Sequence, residues 1–208
     1  MRAALLASTS IYSILWNGLI ALPPVQSTYP PSNLPPTLQS IVDDIRACIA
    51  AKLYYPAVSV ALTIPDICVA LTLDPSVFVT NKTYAAVVDK YSTEAELGVG
   101  GAVCYQLRCG VLHRGNASGS GRIGTSHVIF TVPGTGQIHA MSLQAPNGSS
   151  AAMFSLVEFC EAMIALADRW YADHRSDPKV IENLPKLLSL RPNGISPFVL
   201  GPVVGSQT

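Results

Sequence analysis

The chain has 208 residues, 49% of them apolar and 12% charged, with 13 basic side chains balancing 13 acidic ones. That apolar share excludes an intrinsically disordered chain, and the length accommodates one good-sized domain with tails. A net charge of zero excludes the basic excess that marks sequence-independent binding along nucleic acid, leaving room only for a small local RNA site.

At the N-terminus, Arg2 precedes a largely apolar stretch over residues 3–22. The outline is that of a secretory signal peptide, although its basic end is a single Arg and Asn17 and Gly18 interrupt the apolar run. Polar Ser, Thr and Asn also interrupt the stretch, which barely reaches the roughly 20 apolar residues of a transmembrane anchor and so argues against one. Pro23, Pro24, Pro30, Pro31, Pro35 and Pro36 then make an extended linker, so residues 1–36 are read as an N-terminal apolar stretch and a Pro-rich linker. The five cysteines, Cys48, Cys68, Cys104, Cys109 and Cys160, are odd in number and lie mostly inside apolar runs. They read as reduced core thiols, which points to the cytoplasm and leaves secretion as the alternative. Three Asn-x-Ser/Thr triplets, at Asn81, Asn116 and Asn147, matter only in a eukaryotic secretory setting.

The folded domain is expected over residues 37–190. Leu38, Ile41, Val42, Ile45, Cys48, Ile49 and Leu53 recur at helical spacing and predict a first helix. Residues 54–73 are apolar on both faces, with Pro65 kinking the helix or starting a new one at Asp66. Residues 74–83 read as a loop, 84–91 as a short helix, and 102–113 as a helix that ends at the glycines following His113. Residues 127–132 and 137–143, separated by Pro133, Gly134, Thr135 and Gly136, predict a small β-hairpin inserted at about 126–144. The strongest helical stripe covers 152–174, with Met153, Leu156, Val157, Cys160, Met163, Ile164, Ala167, Trp170 and Tyr171 on one face. A last short helix over 179–190 and an extended tail over 191–208 complete a mostly α domain.

One segment carries distinctive chemistry. The run from Cys104 to His113, Cys-Tyr-Gln-Leu-Arg-Cys-Gly-Val-Leu-His, places a permanent cation and a titratable ring five residues apart in apolar surroundings. An unpaired charge is costly to bury, so Arg108 needs a carboxylate from elsewhere in the fold, and Asp66 is the candidate. Read from the residues alone, Arg108 is either a structural ion-pair partner, with His113 bonding the last helical carbonyls, or half of a catalytic pair.

The Arg-x4-His pattern on a late helix, together with the block 62–71 (Leu-Thr-Ile-Pro-Asp-Ile-Cys-Val-Ala-Leu) and the block 84–91 containing Asp89, resembles an uncharacterised bacterial group of the HEPN-like superfamily. The resemblance covers residues 37–175. It implies a HEPN-type helical bundle acting as a metal-independent RNA endonuclease or toxin-like RNase, with two protomers bringing their pairs together and an antitoxin-like partner in attendance. Arg108 and His113 are then catalytic, Arg108 holding the scissile phosphate and His113 moving protons, with Asp66, Cys109 and Tyr105 in support. Members of the family commonly carry Asn, Asp or His directly after the Arg, where this chain has Cys109. Some HEPN domains only bind a partner or a nucleotide, so a non-catalytic interaction module is the alternative, and a secreted or envelope binding protein is the second.

Three other patterns lead away from cofactor or metal chemistry. The run from Gly119 to Gly124 matches the dinucleotide-binding letters, but polar residues precede it and a strand-like run follows, the reverse of strand then helix. Cys104, Cys109 and His113 lack the second cysteine pair of a closed zinc site, so neither metal nor cofactor is expected. His127 and His139 sit on the two expected strands and read as ordinary strand residues able to face one another.

Overall fold

A computed structural model describes residues 32–117, 124–135 and 138–206 of the chain. The N-terminal apolar stretch, with its signal-peptide outline, and most of the Gly119–Gly124 pattern lie outside them.

The fold is mostly helical, and its helices start where the local chemistry allows. Pro36 opens α1 (Pro36–Ala50), where a missing N–H costs nothing, and Leu38, Val42 and Ile45 bury its inner face. Left-handed Lys52 turns the chain into α2 (Tyr54–Ala61), and Pro65 begins α3 (Ile64–Leu71) instead of kinking one long helix. By length and composition this stretch is apolar enough to cross a membrane, and half of it is buried within the fold. Helix α4 (Asn81–Tyr91) begins three residues before the expected 84. Thr80 and Thr83 cap one another's backbone N–H groups, so Asn-Lys-Thr is a helix start and not the end of a loop. A second reciprocal cap, Thr93 with Glu96, opens the short α5 (Glu94–Leu97).

Helix α7 (Leu156–His174) runs through the centre, packing against α1, α2, α3, α4 and α5. It buries Leu156, Phe159, Cys160, Met163, Ile164, Leu166, Ala167 and Trp170. At about 1.5–3 kcal/mol for each large apolar side chain removed from water, this face contributes substantially to stability. Arg46 of α1 grips Glu161 on its flank through two hydrogen bonds of 3.0 and 2.7 Å. The chain then closes through α8 (Pro178–Asn183) and a 3₁₀ turn, Leu184–Lys186.

The strands depart from expectation. Strand β1 (His127–Thr131) and β2 (Met141–Gln144) are not partners; β3 (Ser150–Ser155) lies between them, parallel to β1 and antiparallel to β2. The expected hairpin at 126–144 is therefore replaced by a β2–β3 hairpin turning at Pro146, Asn147 and Gly148. There Gly148 is left-handed and Asn147 Oδ1 accepts from the Ser149 N–H at 3.0 Å. Residues 152–155, expected as the first turn of the long helix, are strand: Ala152 and Phe154 alternate into the core. Ser155 ends the strand and accepts the Glu158 N–H as the N-cap of α7. The tail also returns on itself, since β4 (Ser189–Arg191) pairs antiparallel with β5 (Val203–Gly205) instead of simply extending.

Helix α6 (Gly101–Arg114) positions the candidate site. Its first turn is fixed from α4 in two ways. Asp89 accepts the Gly101 N–H at 2.6 Å, and a methyl group at position 101 would collide with the carbonyl oxygen of Ala85, so only glycine permits this crossing. Cys104, Leu107, Gly110 and Val111 bury the inner face, and left-handed Gly115 ends the helix.

Candidate functional site

Arg108, Asp66 and His113 meet. The half-buried Arg108 guanidinium donates from Nε to Asp66 Oδ2 at 2.7 Å, and its Nη1 lies 2.9 Å from His113 Nε2. Asp66 comes from the first turn of α3, and both other residues come from α6. An angular offset of about 140° separates positions 108 and 113 on the helix, and it is bridged by the length of the Arg side chain.

A guanidinium has donors only, so His113 Nε2 accepts and the ring carries its proton on Nδ1. Asp66 accepts the Nε–H, the arrangement of a carboxylate. Burial pushes the Asp66 carboxyl above the ordinary carboxylate range against the opposing pull of Arg108. The same carboxylate and its hydrogen bond hold Arg108 above its ordinary value although burial works the other way. The trio therefore joins a half-buried ion pair to an exposed imidazole at the open end of a helix.

Tyr105 and Cys109 flank this trio. The Tyr105 ring lies 5.9 Å below the Arg108 guanidinium carbon, within cation–π range, and packs edge-on against buried Tyr84 at 5.4 Å. Burial raises the Tyr105 phenol, as it does Tyr84, whose hydroxyl donates to the Leu62 carbonyl at 2.9 Å. Half-buried Cys109 stands within hydrogen-bonding reach of both Tyr105 and Arg108. All five cysteines are free, and burial pushes the Cys104 and Cys160 thiols up to about 12, so these two are inert core residues. Among the described residues no cluster of three or more His, Cys, Asp and Glu side chains could hold a metal ion.

The two strand histidines do not face one another. His127 is exposed on β1, whereas His139 lies before β2 with both ring nitrogens engaged by backbone. Its Nε2 donates to the Glu96 carbonyl at 2.8 Å, and its Nδ1 accepts the Ser155 N–H at 3.2 Å, with the Glu158 carboxylate 3.8 Å away. Trp170 is buried and stacks on His174 at 4.7 Å, making it core.

One concavity went unread in the sequence. Tyr54, Tyr55 and Val58 of α2 meet Val111 of α6, Gly115 just past its end, Phe130 of β1, Val132 and Leu156 around a cavity of about 210 Å³. Its residues come from four separate elements, so no local spacing could have announced it. No protein-family profile, curated protein or solved structure matches the chain.

Proposed function

We propose that Arg108 and His113 form the RNA-cleaving centre of a metal-independent, HEPN-type endoribonuclease of toxin-like character, in which a second copy of the chain brings an equivalent pair to the same seam. The observation that supports this reading is the 2.9 Å contact between Arg108 Nη1 and His113 Nε2 at an exposed helix end. An incoming phosphate competes for that guanidinium N–H. When it takes the N–H, Nε2 is released as a base beside the phosphate it must serve. The ribose 2′-hydroxyl then attacks phosphorus: the O2′–P bond forms while P–O5′ breaks, and the O2′ proton passes through His113 to O5′. Arg108 stabilises the charge that gathers on the non-bridging oxygens. Asp66 holds the guanidinium in place through Nε, leaving the Nη groups for the phosphate.

Purified full-length protein is expected to cleave RNA in the presence of EDTA and to leave 2′,3′-cyclic phosphate ends. His113→Ala is expected to slow this by about 100-fold or more, the typical share of positioned acid–base catalysis. Equal cleavage by the variant would overturn the proposal. A second reading, a non-catalytic partner- or nucleotide-binding module of the same architecture, has one observation in its favour: Asp66 already neutralises Arg108. Absence of cleavage by the parent protein would favour it.

A further inference from the structure

The turn that joins β2 to β3 carries a second chemistry, independent of the RNA reading. The sequence Pro-Asn-Gly occurs twice in the chain, at 146–148 and 192–194, and the fold treats the two copies differently. At the first, Asn147 Oδ1 accepts from both the Ser149 N–H at 3.0 Å and the Ser149 hydroxyl at 2.7 Å. An amide oxygen that reaches the N–H two residues on curls the side chain over its own backbone and carries Cγ toward the Gly148 nitrogen. Two donors on that oxygen draw electrons from Cγ and are already in place for negative charge gathering there. Gly148 is exposed, and a side chain built on it would meet open space. At the second copy, among the described residues, no group donates to the Asn193 side chain, and Gly194 is hemmed in by the Val199 and Gly201 carbonyl oxygens. Both glycine N–H groups donate to the carbonyl three residues back, at 2.9 and 3.1 Å, so that restraint is common to the two.

We propose that Asn147 is a site of spontaneous deamidation, at which the Gly148 backbone nitrogen attacks the Asn147 side-chain amide and the folded turn promotes the step. The bond from Gly148 N to Asn147 Cγ forms as the Cγ–Nδ2 bond breaks. The Gly148 N–H proton passes through water to the departing nitrogen, which leaves as ammonia. One water then opens the five-membered imide. Cleavage of the N–Cγ bond leaves aspartate at position 147, and cleavage of the bond to the main-chain carbonyl leaves isoaspartate, with the chain rerouted through Cγ. Either product adds one negative charge to a chain whose net charge is zero. The isoaspartyl product also lengthens the backbone by a methylene inside a hairpin turn, where loop length sets strand register. Strand β2 pairs on one side only, with β3 through this turn, so the longer link loosens the edge of the sheet.

Full-length protein incubated at neutral pH and body temperature, then digested and read by mass spectrometry, tests both copies in one sample. The Asn147 peptide is expected to gain the mass difference between a hydroxyl and an amino group about ten-fold faster than the Asn193 peptide, the scale of two exposed hydrogen bonds to the reacting carbonyl. Incubation in urea should bring the two rates together, since only the shared Pro-Asn-Gly then acts. Ser149→Ala removes the hydroxyl donor and keeps the N–H. It is expected to slow the reaction at Asn147 by about two- to ten-fold in the folded protein. Equal rates at the two copies in the folded protein, a lead of Asn147 that persists in urea, or an unchanged rate in Ser149→Ala would each overturn the inference.

Discussion

Two carboxylate–arginine couples in this molecule each stand next to a histidine, and they have opposite characters. In the couple between α3 and α6, Asp66 is pushed up by burial and His113 is held by a side-chain donor, with its proton on Nδ1 and its ring exposed. In the couple between α5 and α7, Arg169 bonds both carboxylate oxygens of Glu96 and holds that group down at about 2, the ion pair outweighing burial. His139 beside it carries its proton on Nε2 and gives both nitrogens to the backbone. The second cluster is thus spent on joining the sheet to α5 and α7. The first keeps an exposed ring. Proximity of Arg, carboxylate and His is not itself chemistry; what matters is whether the imidazole has a nitrogen that a ligand can compete for.

Three changes would break or sharpen this contrast. The largest effect is expected from Asp66→Ala, which leaves a half-buried guanidinium without its carboxylate. It should lower unfolding stability by about 2–3 kcal/mol in urea titrations, below the full cost of breaking a deeply buried pair because both side chains retain some water. His139→Ala is expected to cost about 1–2 kcal/mol, since it orphans the Ser155 N–H and the Glu96 carbonyl, while leaving RNA cleavage intact. His113→Ala should show the reverse: stability changed by less than about 0.5 kcal/mol, as for an exposed side chain, with cleavage lost. Matching stability losses at the two histidines would erase the distinction.

The smallest effect is in acid. The Glu96 carboxyl titrates lower in the folded chain than its ordinary 4.5, so its contribution is present above pH 4.5 and is lost as pH falls toward about 2. Asp66 is raised, so its sign is opposite: the folded state holds that proton more tightly, and its contribution fades as pH rises through the raised value. Glu96→Gln is expected to flatten the fall in stability between pH 4.5 and 2, by a modest amount because the pair is partly solvated. An unchanged pH slope would mean that the Arg169 contact does not govern Glu96.

Much of this was legible in the sequence, for identifiable reasons. The stripes on α1 and α7 stand out because burial on one helix face repeats at a local period, and Pro65 marks the start of α3 because its backbone constraint is local too. Arg108 and His113 stand out as a permanent cation and a titratable ring within an apolar run, and Asp66 follows from the need to neutralise a half-buried cation. Strand partnership was not legible, because it is decided between segments. Two glycine turns competed, and the left-handed Asn147-Gly148 turn prevailed over the one at Pro133-Gly134. Ala-Met-Phe suits a helix as readily as a strand, and it became strand because Ala152 and Phe154 complete the inner face of the sheet. The cavity was hidden for the same reason, since Tyr55 and Phe130 are neighbours only in the fold.

Ser155 closes one element and opens the next with nothing between them. Its backbone ends the middle strand, and its hydroxyl caps the central helix. The small sheet and that helix therefore turn as one body with no hinge. Force applied to the open β2 edge, by an added strand or a bound peptide, runs through residue 155 straight into the core.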